Sequence, residues 1–134
     1  MVEDLNDAVN VYADFFQVEK PEITITGSQE ETGATYRGIS TQARAKIANF
    51  RFNRISIELI EPDEHPSTWR EFLEENGEGI HHIAFLVKDT HGIIRKLKHK
   101  NIEVIQRGKF PGGQYTYIDT IKDLKFIIEL LQVN

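Results

Sequence analysis

The sequence predicts an α+β fold made from two copies of a βαβββ unit, the first copy lacking its opening strand. Three observations carry this. "VEDLNDAV" (residues 2–9) lines up with "VKDTHGII" (residues 87–94), each a hydrophobic residue, a charge, an aspartate and then a helix-like run. "ISIELI" (residues 55–60) lines up with "FIIELL" (residues 126–131), and both carry Ile-Glu-Leu. In each half three strand-like segments follow the helix-like one, but only the second half has a strand before its helix.

The elements follow in order. Asp4 caps a helix over residues 5–16, where Leu5, Ala8, Val9, Tyr12 and Phe16 fall on one face at helical spacing. Pro21 ends that region, and "EITIT" (residues 22–26) alternates as a strand does. Residues 27–42 are polar and punctuated by glycine, which predicts a loop or an irregular edge. "ARAKIANFRF" and "RISIELIEP" read as two strands joined by a tight turn at Asn53. A short linker helix over residues 65–77 starts at Pro66 or Ser67 and stops at Gly77. "IHHIAFLV" is a strand. Asp89 then caps a helix to about Lys100, with Ile93, Ile94 and Leu97 facing inward. "NIEVIQRG" is a strand, "FPGG" a turn, and "QYTYIDT" and "KFIIELLQ" the last two strands. All 134 residues form one expected domain, with module one at about 1–62, the linker helix at about 65–77 and module two at about 79–134.

Composition narrows the function. The chain is 40% hydrophobic with eight Phe, four Tyr and one Trp, enough for a packed core. A formal net charge of -5 with no basic stripe argues against nucleic acid as a partner. No apolar run reaches membrane-spanning length and no signal peptide opens the chain, so the cytoplasm is the expected compartment. The absence of cysteine excludes disulfides and thiolate chemistry.

Strand alternation selects the residues that could do chemistry. In "ISIELI", Ile55, Ile57 and Leu59 share one face, and Ser56, Glu58 and Ile60 share the other. In "KFIIELL", Glu129 stands between Ile127 and Leu131 in the same way. In the histidine strand, Ile83 and Phe85 belong with the helices, so His82 faces the opposite side beside the small Ala84, and His81 faces the buried side or the start of the strand. A carboxylate among apolar neighbours needs a partner or a metal. Glu58, His82 and Glu129, one imidazole and two carboxylates from three strands, suit a divalent transition metal with open positions. Taken singly, each is more often an edge residue or a salt-bridged core group; two glutamates at the same repeat position raise the metal reading.

On these residues the chain resembles the vicinal oxygen chelate superfamily, which holds glyoxalase I (lactoylglutathione lyase), bleomycin-resistance proteins, extradiol dioxygenases and methylmalonyl-CoA epimerase. "GEGIHHIAFLVKD", "IELIEP" and "FIIELL" are similar to its fifth, fourth and eighth strands, and "VEDLNDAVNVYADFF" to its first helix. The similarity runs over essentially the whole chain, and "STWREFLEENGEGIHHIAF" leans toward the epimerases. The resemblance implies a curled mixed sheet around a metal cleft, with one divalent ion (Zn, Ni, Co or Mn) on Glu58, His82 and Glu129. It places a fourth ligand on the first strand, as far before Val2 as His82 is before Val87, and so ahead of Met1. It further implies proton abstraction next to a metal-bound carbonyl, with Glu129 as ligand and base and Glu58 next. The substrate would be a small thioester or hemithioacetal, handled in a homodimer.

Two departures from the epimerases stand out. "ARAKIANFRF" carries no acid where they place a second base, and "YIDTIKDLKF" lacks their His-Pro-Lys-like segment. Arg37, Arg44, Lys46, Arg107 and Lys109 are the cations that could meet an anionic thiol cofactor, with Arg44 and Arg107 taken as weak substrate-binding candidates. The alternative function is a metal-free small-molecule binder of the bleomycin-resistance kind, and a third is a regulatory domain without activity.

Overall fold

The computed structural model describes residues 1–134. Helix α1 (Leu5–Phe16) starts where the Asp4 side chain accepts the Asp7 amide proton, and ends where Gln17 turns left-handed at φ 54°. Its Leu5, Val9 and Ala13 are buried against Ala48, Phe50 and Leu59. That face belongs to a three-stranded antiparallel sheet of order β1 (Ile23–Ile25), β4 (Ala45–Arg51) and β5 (Ser56–Pro62). Burying the Leu5 side chain stabilises the fold by about 2 kcal/mol, which makes this helix the cover of the first sheet.

The second sheet has six strands in the order β3 (Ile39–Ser40), β2 (Thr35–Tyr36), β7 (Val104–Phe110), β8 (Gly113–Ile118), β9 (Ile127–Val133) and β6 (His82–Leu86). It is mixed: β6 runs parallel to β9, and every other pair is antiparallel. β7 and β8 join through Pro111 and Gly112, whose φ of 88° is open to glycine at little cost. Gly108 is required for a different reason: a Cβ there would stand 2.8 Å from the Tyr115 ring.

The inner faces of the two sheets meet through a second core of Met1, Ala45, Ile60, Trp69, Ile105, Tyr117 and Ile127. Trp69 comes from α3 (Thr68–Asn76), which is capped by Ser67 at its start and Gly77 at its end. A buried hydrogen-bond set pins that helix to the second sheet. Gln106 Oε1 accepts from the Thr68 amide at 2.7 Å, and Trp69 Nε1 donates to the Tyr117 hydroxyl at 3.1 Å.

The internal repeat reappears in the hydrogen bonds. The Val2 amide donates to the Ile60 carbonyl at 3.0 Å, and the Val87 amide donates to the Leu131 carbonyl at 2.9 Å. These are the same repeat positions, at the entry to α1 and to α4 (Thr90–Lys98). Met1 and Gly79 exchange two further bonds, which tie the start of α1 to the approach to β6.

Three local expectations are refined or corrected. Of the loop or irregular edge expected over residues 27–42, the edge is found: Ser28 and Glu31 form a capping box over α2 (Gln29–Thr32), and β2 and β3 make a small hairpin at the edge of the second sheet, β2 pairing with β7. A short helix, α5 (Ile121–Leu124), interrupts the approach to β9. Ile83 and Phe85, expected under the helices, remain 46% and 51% exposed, because α4 covers β9 and its own Ile93, Ile94 and Leu97 are only half-buried.

Candidate functional site

Strand register decides which side chains meet. β9 pairs Glu129 with Tyr117 on β8 and with Ala84 on β6. His82 stands two residues before Ala84 and so projects from the same face. Across the gap, β5 pairs Glu58 with Asn49 on β4, on the face that carries Ile60 into the core between the sheets. The three residues singled out by alternation therefore lie on the inner faces of two sheets that look at each other.

His82 Nε2 lies 3.3 Å from Glu129 Oε2, and both side chains are nine-tenths buried. The Tyr117 ring packs on the His82 ring at 4.9 Å. Glu58 is the outer member, with more of its surface open to solvent. Its carboxyl is nonetheless pushed up to about 7, first by loss of water around it and then by the negative charge of Glu129, with His82 opposing. The exposure of Glu58 to solvent moderates that push. Burial, and then the Glu129 and Glu58 charges, also drive the Tyr117 hydroxyl well above its usual range, so it stays a neutral phenol bonded to Trp69. Tyr115 is pushed up to about 12 for the same first reason.

The ligand atoms of Glu58, His82 and Glu129 do not all come within 4.8 Å of one another, whereas those of Asp63, Glu64 and His65 do. That second group is a turn holding itself: Asp63 accepts from the His65 amide, sits 3.0 Å from its ring and accepts from the Arg44 amide. Its Asp63 carboxylate is engaged by these contacts, at the protein surface.

The expected cations do not join the site. Arg107 pairs with Thr116, and so projects from the sheet face opposite Glu129, as does exposed Lys109. Arg44 reaches back to the Thr26 carbonyl at 2.8 Å, Lys46 pairs with Glu61 at 2.7 Å, and Arg37 pairs with Glu71 at 2.7 Å. Arg107 thus faces away from Glu129, and Arg44, just ahead of β4, is held to the Thr26 carbonyl, so neither reaches the site in this arrangement. Sequence reading missed Asn49, Tyr115 and Tyr117. The two tyrosines alternate in "QYTYIDT", which puts them on one face, and Tyr117 is Glu129's cross-strand neighbour. It also missed that the His81 and His82 rings touch, with Nδ1 atoms 2.9 Å apart. His81 is buried as expected, and burial, followed by the His82 charge, pushes it down to about 3, so it stays neutral.

Residues 1–118 match the family model of the glyoxalase/bleomycin resistance protein/dioxygenase superfamily. The chain belongs to this superfamily. It is 33% identical to the uncharacterized protein YqjC of Bacillus subtilis (strain 168) over 96 residues, 68% of this chain and 67% of that protein. Among solved structures, a hypothetical protein from Bacillus halodurans C-125 superposes with a TM-score of 0.67 at 22% identity, over 99% of this chain and 88% of that one. Methylmalonyl-CoA epimerase from Mycobacterium tuberculosis superposes with a TM-score of 0.65 at 19% identity, over 99% and 83%. The Streptomyces coelicolor epimerase in complex with 2-nitronate-propionyl-CoA superposes with a TM-score of 0.63 at 22% identity, over 98% and 91%. The fold is that of these vicinal oxygen chelate proteins, and the superfamily holds both enzymes and binding proteins. No helix is long and apolar enough to cross a membrane.

Proposed function

We propose that this protein is a metal-dependent isomerase or lyase of the methylmalonyl-CoA epimerase or glyoxalase I kind, with Glu58, His82 and Glu129 as metal ligands. The observation that supports it most is the convergence of two carboxylates and an imidazole on the facing sides of two sheets, with His82 Nε2 and Glu129 Oε2 3.3 Å apart. The nitrogen and two oxygens match what Zn, Ni, Co or Mn accept. His82 and Glu129, 3.3 Å apart, already have the separation of neighbouring ligands on one ion.

When bound, such an ion supplies Lewis-acid stabilisation of the negative charge that develops on a substrate carbonyl oxygen. Glu129 accepts the proton from the adjacent carbon, with Glu58 as the second base. Return to the opposite face of the same carbon is epimerisation, and return to the neighbouring carbon is the glyoxalase reaction. Tyr117, a neutral phenol fixed by Trp69, walls the base on one side and keeps water from that flank. The substrate is a small thioester or hemithioacetal. Half-exposed Ile83 and Phe85, on one face of the edge strand β6, support a second copy covering that face in a homodimer.

The test is proton exchange. In D2O with added Co(II), the protein should wash deuterium into the carbon next to the carbonyl of methylmalonyl-CoA or of the methylglyoxal–glutathione adduct, and Glu129→Gln should stop it. Tight binding of such compounds without exchange, and without any metal, would instead favour a sequestering protein.

A further inference from the structure

The cations carried by the strands are Lys46, Arg51, Arg107 and Lys109. The ladders sort them by face. Arg107 and Lys109 leave the second sheet on the side opposite Glu129. Lys46 pairs with Glu61, which also accepts from the Leu5 amide on the α1 side of the first sheet. Arg51 alone shares a face with a proposed ligand.

The register shows how. β4 and β5 pair Asn49 with Glu58 and, one step outward, Arg51 with Ser56. Residues two apart on a strand project to the same side, so these four share one face. Ala48, Phe50 and Leu59 take the other face, under α1. The Arg51–Ser56 pair is the last of the ladder before the turn, about 7 Å outward from Asn49 and Glu58. An arginine side chain spans that distance.

These side chains have nothing to hold. Around β4, the side-chain hydrogen bonds are made by Arg44, Thr26 and Lys46, so the Asn49 amide, the Ser56 hydroxyl and the Arg51 guanidinium are all unspent. Every ion pair of the protein leaves Arg51 out. Glu58 stands diagonally across the ladder from Arg51, yet no ion pair joins them. Three unspent donors, one of them a charged planar fork, therefore run outward from Glu58 on one strip of sheet. That set matches the two oxygens of a carboxylate. Glu58 and Glu129 repel an anion that approaches them, and a cation on the same face offsets that repulsion.

We propose that Arg51, Ser56 and Asn49 form a carboxylate-binding subsite beside Glu58, which selects a substrate bearing a carboxylate within a few bonds of its reacting carbonyl. This rests on Glu58 lying in the reaction cleft. The subsite is too close to Glu58 for the phosphates of CoA, which lie at the far end of the pantetheine arm. Among thioesters it favours acidic acyl groups over neutral ones.

Calorimetry of the zinc-loaded protein with methylmalonyl-CoA, propionyl-CoA and CoA tests this, because the first two differ by one carboxylate. Wild type should bind methylmalonyl-CoA about 10- to 100-fold more tightly than propionyl-CoA. Arg51→Gln should abolish that preference and leave propionyl-CoA affinity as it was, and Arg51→Lys, which keeps the charge without the fork, should fall between. Equal weakening of all three ligands in Arg51→Gln would assign the arginine to a CoA phosphate and overturn the proposal. So would an unchanged preference, whether or not zinc affinity falls, since an exposed charge or a strand partner of Glu58 predicts that result. A second measurement separates the subsite from the metal. Free methylmalonate, but not propionate, should move the NMR signals of the Arg51 Nε–H and the Asn49 side-chain amide. Those shifts in a protein that binds no zinc would refute the metal reading of Glu58 and keep the subsite. No shift with either acid, with zinc present or absent, would overturn the subsite.

Discussion

Glu58→Gln should make the metal-free protein more stable at pH 8 while weakening its hold on metal. The Glu58 carboxyl rises from an ordinary 4.5 to about 7 in the folded protein. An acid whose folded value is raised contributes stability below its unfolded value and loses it as pH climbs through the folded one. The loss therefore falls between about pH 4.5 and pH 7. A shift of that size corresponds to roughly 3 kcal/mol at face value. Glu58 is exposed along part of its length, so solvent screening leaves about 1 kcal/mol. Glutamine mimics the neutral acid and removes that cost. Urea unfolding in EDTA should show the variant about 1 kcal/mol more stable at pH 8, a gain of about 4 °C in melting temperature for a domain of this size, and no different at pH 4. Equal stability at pH 8, or the same gain at both values, would refute the claim that Glu58 is held in a charge-crowded site.

Other expectations follow from the same contacts. Trp69→Ala should cost about 4 kcal/mol in chemical denaturation, because it empties the core between the sheets and strips the Tyr117 hydroxyl of its donor. Zinc at a hundred times its Kd should raise stability by about 2.7 kcal/mol, read as a melting shift that EDTA reverses and that is absent in Glu129→Gln. Arg107→Ala should leave the substrate KM unchanged, since its side chain leaves the sheet on the face opposite Glu129; a several-fold rise would contradict that placement.

Much of the architecture was legible because it is written twice. The alignment of Val2 with Val87 and of Ile60 with Leu131 rests on letters alone, and the same backbone hydrogen bond closes both pairs. Alternation was enough to turn Glu58, His82 and Glu129 toward a common space, since a strand leaves each side chain only two directions. The failures lie where local pattern does not govern. β2 and β3 are two residues each and exist because β7, some seventy residues later in the chain, offers them an edge. The Ser28–Glu31 capping box was readable and was overlooked among the polar residues of that stretch. Strict alternation would send the rings of His81 and His82 apart; they touch because β6 begins only at His82, so His81 is not bound by the pleat. The side taken by Arg107 was likewise a matter of parity within a strand whose inward face could be assigned only with both sheets in view, and Arg44 lies just ahead of β4, held to the Thr26 carbonyl.

Zinc titration calorimetry of the purified protein, beside His82→Ala, tests the central claim most directly. The account predicts one ion per chain, with binding lost in His82→Ala while the circular dichroism of the fold is retained. Zinc binding that survives in His82→Ala and disappears instead in His65→Ala would place the metal at the Asp63–His65 turn and contradict it.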